Sequence, residues 1–140
     1  MDNEKLLQQF GIRATAVRLL ILKGVSDYAA PFSLEDMYNH LVTIDRSTVF
    51  RALALFEEQG LLHGFEDGSG KKKYCLNCGS HSGDAHAHHH HGHHIHATCR
   101  VCGRSFCIEA AEELHLPTPA GFEVENVNYI ISGVCASCKR

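Results

Sequence analysis

Three C-x-x-C pairs in a chain of 140 residues leave few architectures open: Cys75/Cys78, Cys99/Cys102 and Cys135/Cys138, with Cys107 left over as a seventh cysteine. Each pair makes a tight knuckle that offers two thiolates to one ion, and two knuckles complete a tetrahedral four-sulfur shell. The pairs 99/102 and 135/138 have 32 residues between their inner cysteines, and Gly103 and Gly133 suit the turns that knuckles require. Cys99, Cys102, Cys135 and Cys138 are therefore expected to bind a structural zinc ion. A closed shell without an open position would tie the C-terminus to a sheet. The odd cysteine count speaks against complete internal disulfide pairing. No apolar run approaches the roughly 18–20 residues of a membrane helix, and the opening MDNEKLLQQF lacks a signal-peptide core. A cytoplasmic protein in a reducing compartment, with no membrane partner, is the expectation.

Composition shifts near residue 75. Residues 1–74 hold the helical periodicity, two of the twelve histidines and no cysteine, whereas residues 75–140 hold every cysteine and ten histidines. The reading is two small domains, 1–74 and 75–140. In the first, Leu6, Leu7 and Phe10 begin a short helix stopped by Gly11. Thr15 caps a second helix, with Val17, Leu20, Ile21 and Val25 expected on its buried side. Ser33 caps a third, carrying Leu34, Met37, Tyr38 and Leu41. Asp45 or Ser47 caps a fourth that runs to about Gln59 and ends at Gly60. Leu61–Glu66 and Lys72–Leu76 then bracket a Gly68-Ser69-Gly70 turn, a β-hairpin signature. Helices followed by a hairpin is the order of a winged helix-turn-helix, and the fold class expected is α+β.

The last of these helices carries two stripes. Val49, Ala52, Leu53 and Phe56 form a core stripe, and Ser47, Phe50, Arg51 and Ala54 repeat that spacing on another face. Hydroxyls that reach phosphates, a cation for phosphate or guanine and a ring for thymine methyls suit a DNA major groove. The competing reading places Phe50 in the core and leaves Arg51 a solvated charge. Net charge weighs against DNA: residues 1–74 carry nine Lys+Arg and ten Asp+Glu. The positive charge is concentrated, however, in Arg13, Arg18, Arg46, Arg51 and the run Lys71–Lys73 on the hairpin, and a dimer would double it.

A second metal constellation is expected around His94 and His96, which project from one face of a strand with Ile95 on the other. Cys107 on the following strand would return toward them, and Cys75 at the end of the hairpin could add a ligand from the other domain. Such a site would couple metal occupancy to the relation between domains. The alternative is that Cys107 and Cys75 are merely buried small residues. The histidine-rich segment 81–94 cannot pack as core and reads as a loop that binds metal loosely, with Cys78 and His81 near its start.

The segments GIRATAVRLLIL (11–22), FSLEDMYNHL (32–41), STVFRALALFEEQGLL (47–62), HHIHATCRVCG (93–103) and GVCASC (133–138) resemble, in order and spacing, the ferric uptake regulator family of bacterial metal-dependent repressors. The resemblance implies an N-terminal winged-helix domain and a small C-terminal α/β dimerisation domain with a structural zinc site at the four knuckle cysteines. It also implies a metal-loaded homodimer that represses at AT-rich inverted repeats. The family's T-V-Y-R segment reads Thr48-Val49-Phe50-Arg51 here, so Phe50 keeps a ring but loses a hydroxyl, and Arg13 matches a basic residue suited to minor-groove contact. Its H-H-D-H segment reads His93-His94-Ile95-His96, without the carboxylate. Val127 stands where many members carry a histidine, Pro31 is near another such place, and Cys107 and Cys75 replace carboxylates. Thiolates soften a site toward zinc and make it oxidisable.

These readings converge on a metal-responsive repressor of metal-homeostasis genes that binds double-stranded operator DNA through Arg13, Ser47, Thr48, Phe50, Arg51 and Lys71. Structural zinc is joined by a regulatory divalent ion, zinc or ferrous iron, at His94, His96, Cys107 and Cys75, with His93 nearby. A peroxide- or haem-responsive regulator of the same family and a metal storage or chaperone protein built on the histidine loop are the alternatives. No general base, nucleophile motif or phosphate loop stands at a recognisable spacing, so neither catalysis nor an organic substrate is expected.

Overall fold

The structure, a computed structural model, describes residues 2–76, 94–109, 116–125 and 129–139. The chain divides into two compact units, Met1–Asn77 and Cys78–Arg140.

In the first unit each helix starts where a short polar side chain can take up a free amide. Asp2 caps α1 (Asn3–Gln9), and Thr15 caps α2 (Ala16–Tyr28) by accepting from the Arg18 amide. Ser33 caps α3 (Leu34–His40) in a reciprocal box, its hydroxyl accepting from the Asp36 amide while the Asp36 carboxylate accepts from the Ser33 amide. Asp45 caps α4 (Arg46–Glu58). A two-residue strand, β1 (Phe32–Ser33), precedes α3 and was not foreseen from sequence. It pairs antiparallel with β3 (Lys72–Leu76), which pairs antiparallel with β2 (Leu62–Glu66), giving the order β1-β3-β2. Pairing of Leu62 with Leu76 keeps Cys75 and Leu76 within the hairpin and so within this unit. Four helices and a hairpin sheet make this unit a winged helix-turn-helix, in an α+β chain.

The core of this unit is one cluster that includes Leu7, Ile21, Leu22, Met37, Leu53 and Phe56. The stripe expected on α2 needs correction. Val17 and Leu20 are exposed, at 39% and 56%, while Ile21, Leu22 and Val25 are buried. At about 100° per residue, the centre of the Ile21-Leu22-Val25 face lies well away from Leu20, which points to the opposite side. Among the glycines, Gly60 takes φ 84° where α4 turns into β2. At Gly64 a Cβ would meet the tips of the Glu57 and Lys72 side chains, which would have to shift to admit it.

The described part of the second unit is a three-stranded sheet ordered β5-β4-β6. β4 (His94–Cys99) runs antiparallel to β5 (Ser105–Glu109), and β6 (Tyr129–Gly133) adds on the other side of β4 in parallel. The strand carrying Cys107 returns alongside β4, as expected. The parallel strand β6 lacked a strong sequence signal. Among the described residues, no helix is long and apolar enough to cross a membrane.

Candidate nucleic-acid and metal sites

α4 separates its two stripes completely. Val49, Ala52, Leu53 and Phe56 are buried, while Ser47, Arg51 and Ala54 are exposed and Phe50 is 50% exposed. A half-exposed phenyl ring next to an exposed guanidinium serves no packing purpose, so the core reading of Phe50 fails.

The start of α4 is more constrained than its sequence announced. Asp45 accepts from the Thr48 amide at 3.1 Å, from the Ser47 hydroxyl at 2.5 Å and from the Thr48 hydroxyl at 2.7 Å. These donors, Ser47 first and then Thr48, hold the Asp45 carboxyl down to about 2. Both hydroxyls expected to reach phosphates thus spend their protons on Asp45. The signal was an Asp at the cap followed by Ser and Thr two and three positions later.

The hairpin lysines also depart from expectation. The run Lys71–Lys73 is not a free cationic patch, because each lysine has an acidic partner within its own unit. Lys71 lies 3.4 Å from Glu35 with both side chains exposed, and Lys72 lies 2.7 Å from Glu57. Lys73 is buried against Asp67 at 2.9 Å and is unavailable to any ligand. Burial pushes the Asp67 carboxyl up, yet hydrogen bonds from Ser69 and Lys73 outweigh it and hold that group well below the usual carboxylate range. Arg18 donates to the Arg13 carbonyl at 2.8 Å, and the Arg46 guanidinium sits 5.2 Å from the Tyr38 ring centroid. Arg13 and Arg51 are exposed.

In the second unit, Cys99, Cys102, Cys135 and Cys138 bring their sulfurs within 4.8 Å of one another. Cys99 ends β4, Cys102 lies in the turn to β5, and the second knuckle follows β6, so the parallel pairing of β6 with β4 joins the two knuckles. The Cys135 amide donates to Cys99 Sγ at 3.3 Å, and Cys102 Sγ and Cys135 Sγ are 3.8 Å apart. Backbone amides, those of Cys102 and Cys135 foremost, hold the Cys99 thiol down to about 6. Hydrogen bonding with Cys135 first, reinforced by burial and by the sulfurs of Cys102 and Cys99, pushes Cys138 up to about 12. This donor set suits a tetrahedral divalent ion.

His96 and Cys107 are direct cross-strand partners on β4 and β5, with ligand atoms within 4.8 Å, and His96 is buried. His94 falls two residues earlier on β4, at the position paired with Glu109. Cys75 is buried on β3 of the first unit. His93, Cys78, Val127 and the histidine-rich segment up to residue 93 lie outside the described residues.

The sequence profile of the Ferric uptake regulator family matches residues 9–130. The ferric uptake regulation protein of Bordetella parapertussis is 29% identical, over 100% of this chain and 99% of that protein. Its counterpart in Yersinia pestis is 31% identical, over 96% of this chain and 88% of that protein. Among solved structures, the Vibrio cholerae ferric uptake regulator superposes with TM-score 0.66 at 22% identity, covering 96% of this chain and 100% of the other. A zinc uptake regulator complexed with zinc and DNA superposes with TM-score 0.62 at 24% identity, covering 97% and 89%. At these identities the structural likeness speaks to the fold.

Proposed function

Because the chain belongs to the ferric uptake regulator family, it is a metal-responsive, DNA-binding transcription regulator and not an enzyme, and we propose that it acts as a repressor whose metal-loaded homodimer binds AT-rich inverted repeats at metal-homeostasis genes. The observation that carries this reading is the solvent face of α4, where Phe50 and Arg51 stand exposed beside Ser47 while the opposite stripe is sealed in the core. In a major groove Phe50 meets thymine methyls and Arg51 meets guanine or phosphate, while Arg13 enters the adjacent minor groove and Lys71 takes a phosphate. Two copies would place their α4 helices about 34–36 Å apart, one turn of DNA. An apolar sheet face in the second unit supports a second copy as partner: Phe106, Ile108 and Ile131, exposed at 37%, 42% and 52%, flank Ile95 and Ala97 in register.

Cys99, Cys102, Cys135 and Cys138 would hold structural zinc. The regulatory ion would take His96 and Cys107, with His94 and Cys75 as the further ligands and His93 beside them. Thiolate and imidazole donors favour zinc over ferrous iron there. When bound, the ion supplies charge neutralisation and a fixed crosslink among its ligands, and DNA affinity follows its occupancy.

The test is selection of bound duplexes from a random pool, run anaerobically with zinc, with ferrous iron and with chelator. One AT-rich inverted repeat enriched only in a metal lane supports the reading and names the effector. Enrichment in no lane, by folded dimeric protein, overturns it. Cys107→Ser and Cys75→Ser should each shift the metal midpoint of DNA binding upward, and an unchanged midpoint removes that residue from the regulatory site.

A further inference from the structure

A helix cap needs one acceptor for one amide, and Asn or Ser at that position serves about as well as Asp. At the start of α4 the structure holds more than a cap requires. The Asp45 carboxylate takes the Thr48 amide and, in addition, both neighbouring hydroxyl protons. Among the described residues no lysine or arginine pairs with it. The nearby Arg46 is packed over the Tyr38 ring instead. Asp45 is exposed, so its charge stands at the end of α4 that meets DNA in the reading above.

A hydroxyl has one proton and two lone pairs. With their protons committed to Asp45, Ser47 and Thr48 present lone pairs alone to anything that approaches. Phosphate oxygens, guanine O6 and N7 and thymine O4 are acceptors and gain nothing from such a surface. Adenine N6 and cytosine N4 are the major-groove donors. We propose that Asp45 is a positioning residue for sequence readout: by holding the hydroxyl protons of Ser47 and Thr48 it turns the first turn of α4 into an acceptor surface that selects base amino groups and turns away phosphate. This inference rests on α4 being the DNA-reading helix. It adds a source of specificity that neither hydroxyl would provide alone, since a free hydroxyl donates and accepts equally well.

The test uses the full-length zinc-loaded protein and the duplex it enriches from a random pool. Each adenine is replaced in turn by purine without its N6 amino group, and each cytosine by a pyrimidinone without N4. Asp45→Asn keeps the cap and the Ser47 hydroxyl on its remaining oxygen, but its amide nitrogen takes the place of the oxygen that holds Thr48 and releases that hydroxyl, and Asp45→Ser keeps the cap without reach to both. Their profiles also correct for the base-pairing bond that each analogue removes. At one or two positions per half-site, amino-group deletion should cost the parent protein about three- to tenfold more affinity than it costs either variant. Both variants should bind random duplex DNA more tightly than the parent, a direction that damage to the helix would not produce. Superimposable profiles for parent and variants overturn the inference and leave the regulator reading intact. Failure of the parent to enrich any duplex overturns both.

Discussion

Leu7, Ile21, Leu22, Met37, Leu53 and Phe56 are each sealed from solvent in Met1–Asn77, within one apolar cluster that reaches from α1 to β3. In Cys78–Arg140 the buried side chains among the described residues are His96, Cys99 and Ser105, while Phe106, Ile108, Phe122 and Ile131 lie exposed. Hydrophobic burial is the force that holds most small domains, and a short unit whose described residues show so little of it calls for another source of stability. The four-cysteine cluster is placed to supply one, and in the homodimer proposed above the exposed sheet face would gain another. The first unit thus keeps its shape by packing, whereas the described residues of the second carry a cluster of thiols and an exposed apolar face.

Removing the metal should break this contrast most severely. Chelation, or Cys102→Ser, is expected to remove on the order of 10 kcal/mol of metal-linked folding free energy from the second unit. Amide hydrogen exchange would read it: protection of β4, β5 and β6 should be lost while α2 and α4 keep theirs. Retained protection in the sheet would show that the thiol cluster does not hold it. The converse experiment is Phe56→Ala, which opens a cavity in the first unit and should cost about 3–5 kcal/mol there. Zinc content per chain should stay at the parental value, and its loss would mean that the two units do not draw their stability from separate sources.

A smaller break concerns the hairpin alone. Asp67→Asn strands the buried Lys73 ammonium without its counter-charge and should cost about 3 kcal/mol. The same pair makes the hairpin acid-sensitive. The folded carboxyl titrates below its unfolded value of 3.8, so its contribution is complete above that pH and fades as pH falls through the folded value. Exchange of the β2 and β3 amides should rise below about pH 4 in the parent and be independent of pH there in Asp67→Asn.

How much of this was legible in sequence follows the same division. The cap residues Thr15 and Ser33, the α4 cap to within a choice of Asp45 or Ser47, the α4 core stripe and the hairpin around Gly68-Ser69-Gly70 were readable because each depends on neighbours within a few residues. The four-cysteine cluster was readable although it is long-range, because metal chemistry restricts the spacing. The parallel β6 was not readable, since its partner lies more than thirty residues away and nothing local records the pairing. The face of α2 was misplaced because apolar residues occupy both sides of that helix and only tertiary contact selects one. The hairpin lysines looked free because Glu35 and Glu57, which bind Lys71 and Lys72, stand far from them in sequence.

The smallest expected effect tests whether those lysines still serve DNA. Lys71 and Glu35 form an exposed pair at 3.4 Å, a geometry that contributes less than about 1 kcal/mol in water. Lys71→Ala should therefore leave the melting of the first unit almost unchanged. A phosphate competes well with so weak a partner, because Lys71 loses little by leaving Glu35. The substitution should then flatten the salt dependence of operator binding by about one unit per copy of the chain, with base preference unaltered. Glu35→Gln should act in the opposite sense, freeing the ammonium and raising affinity modestly at low salt. If Lys71→Ala leaves the salt slope where it was, the charge of Lys71 is spent within its own unit. Operator contact would then fall to Arg13 and Arg51 alone among the expected cations, and the first unit would read DNA through α4 and its N-terminal approach with no electrostatic help from the hairpin.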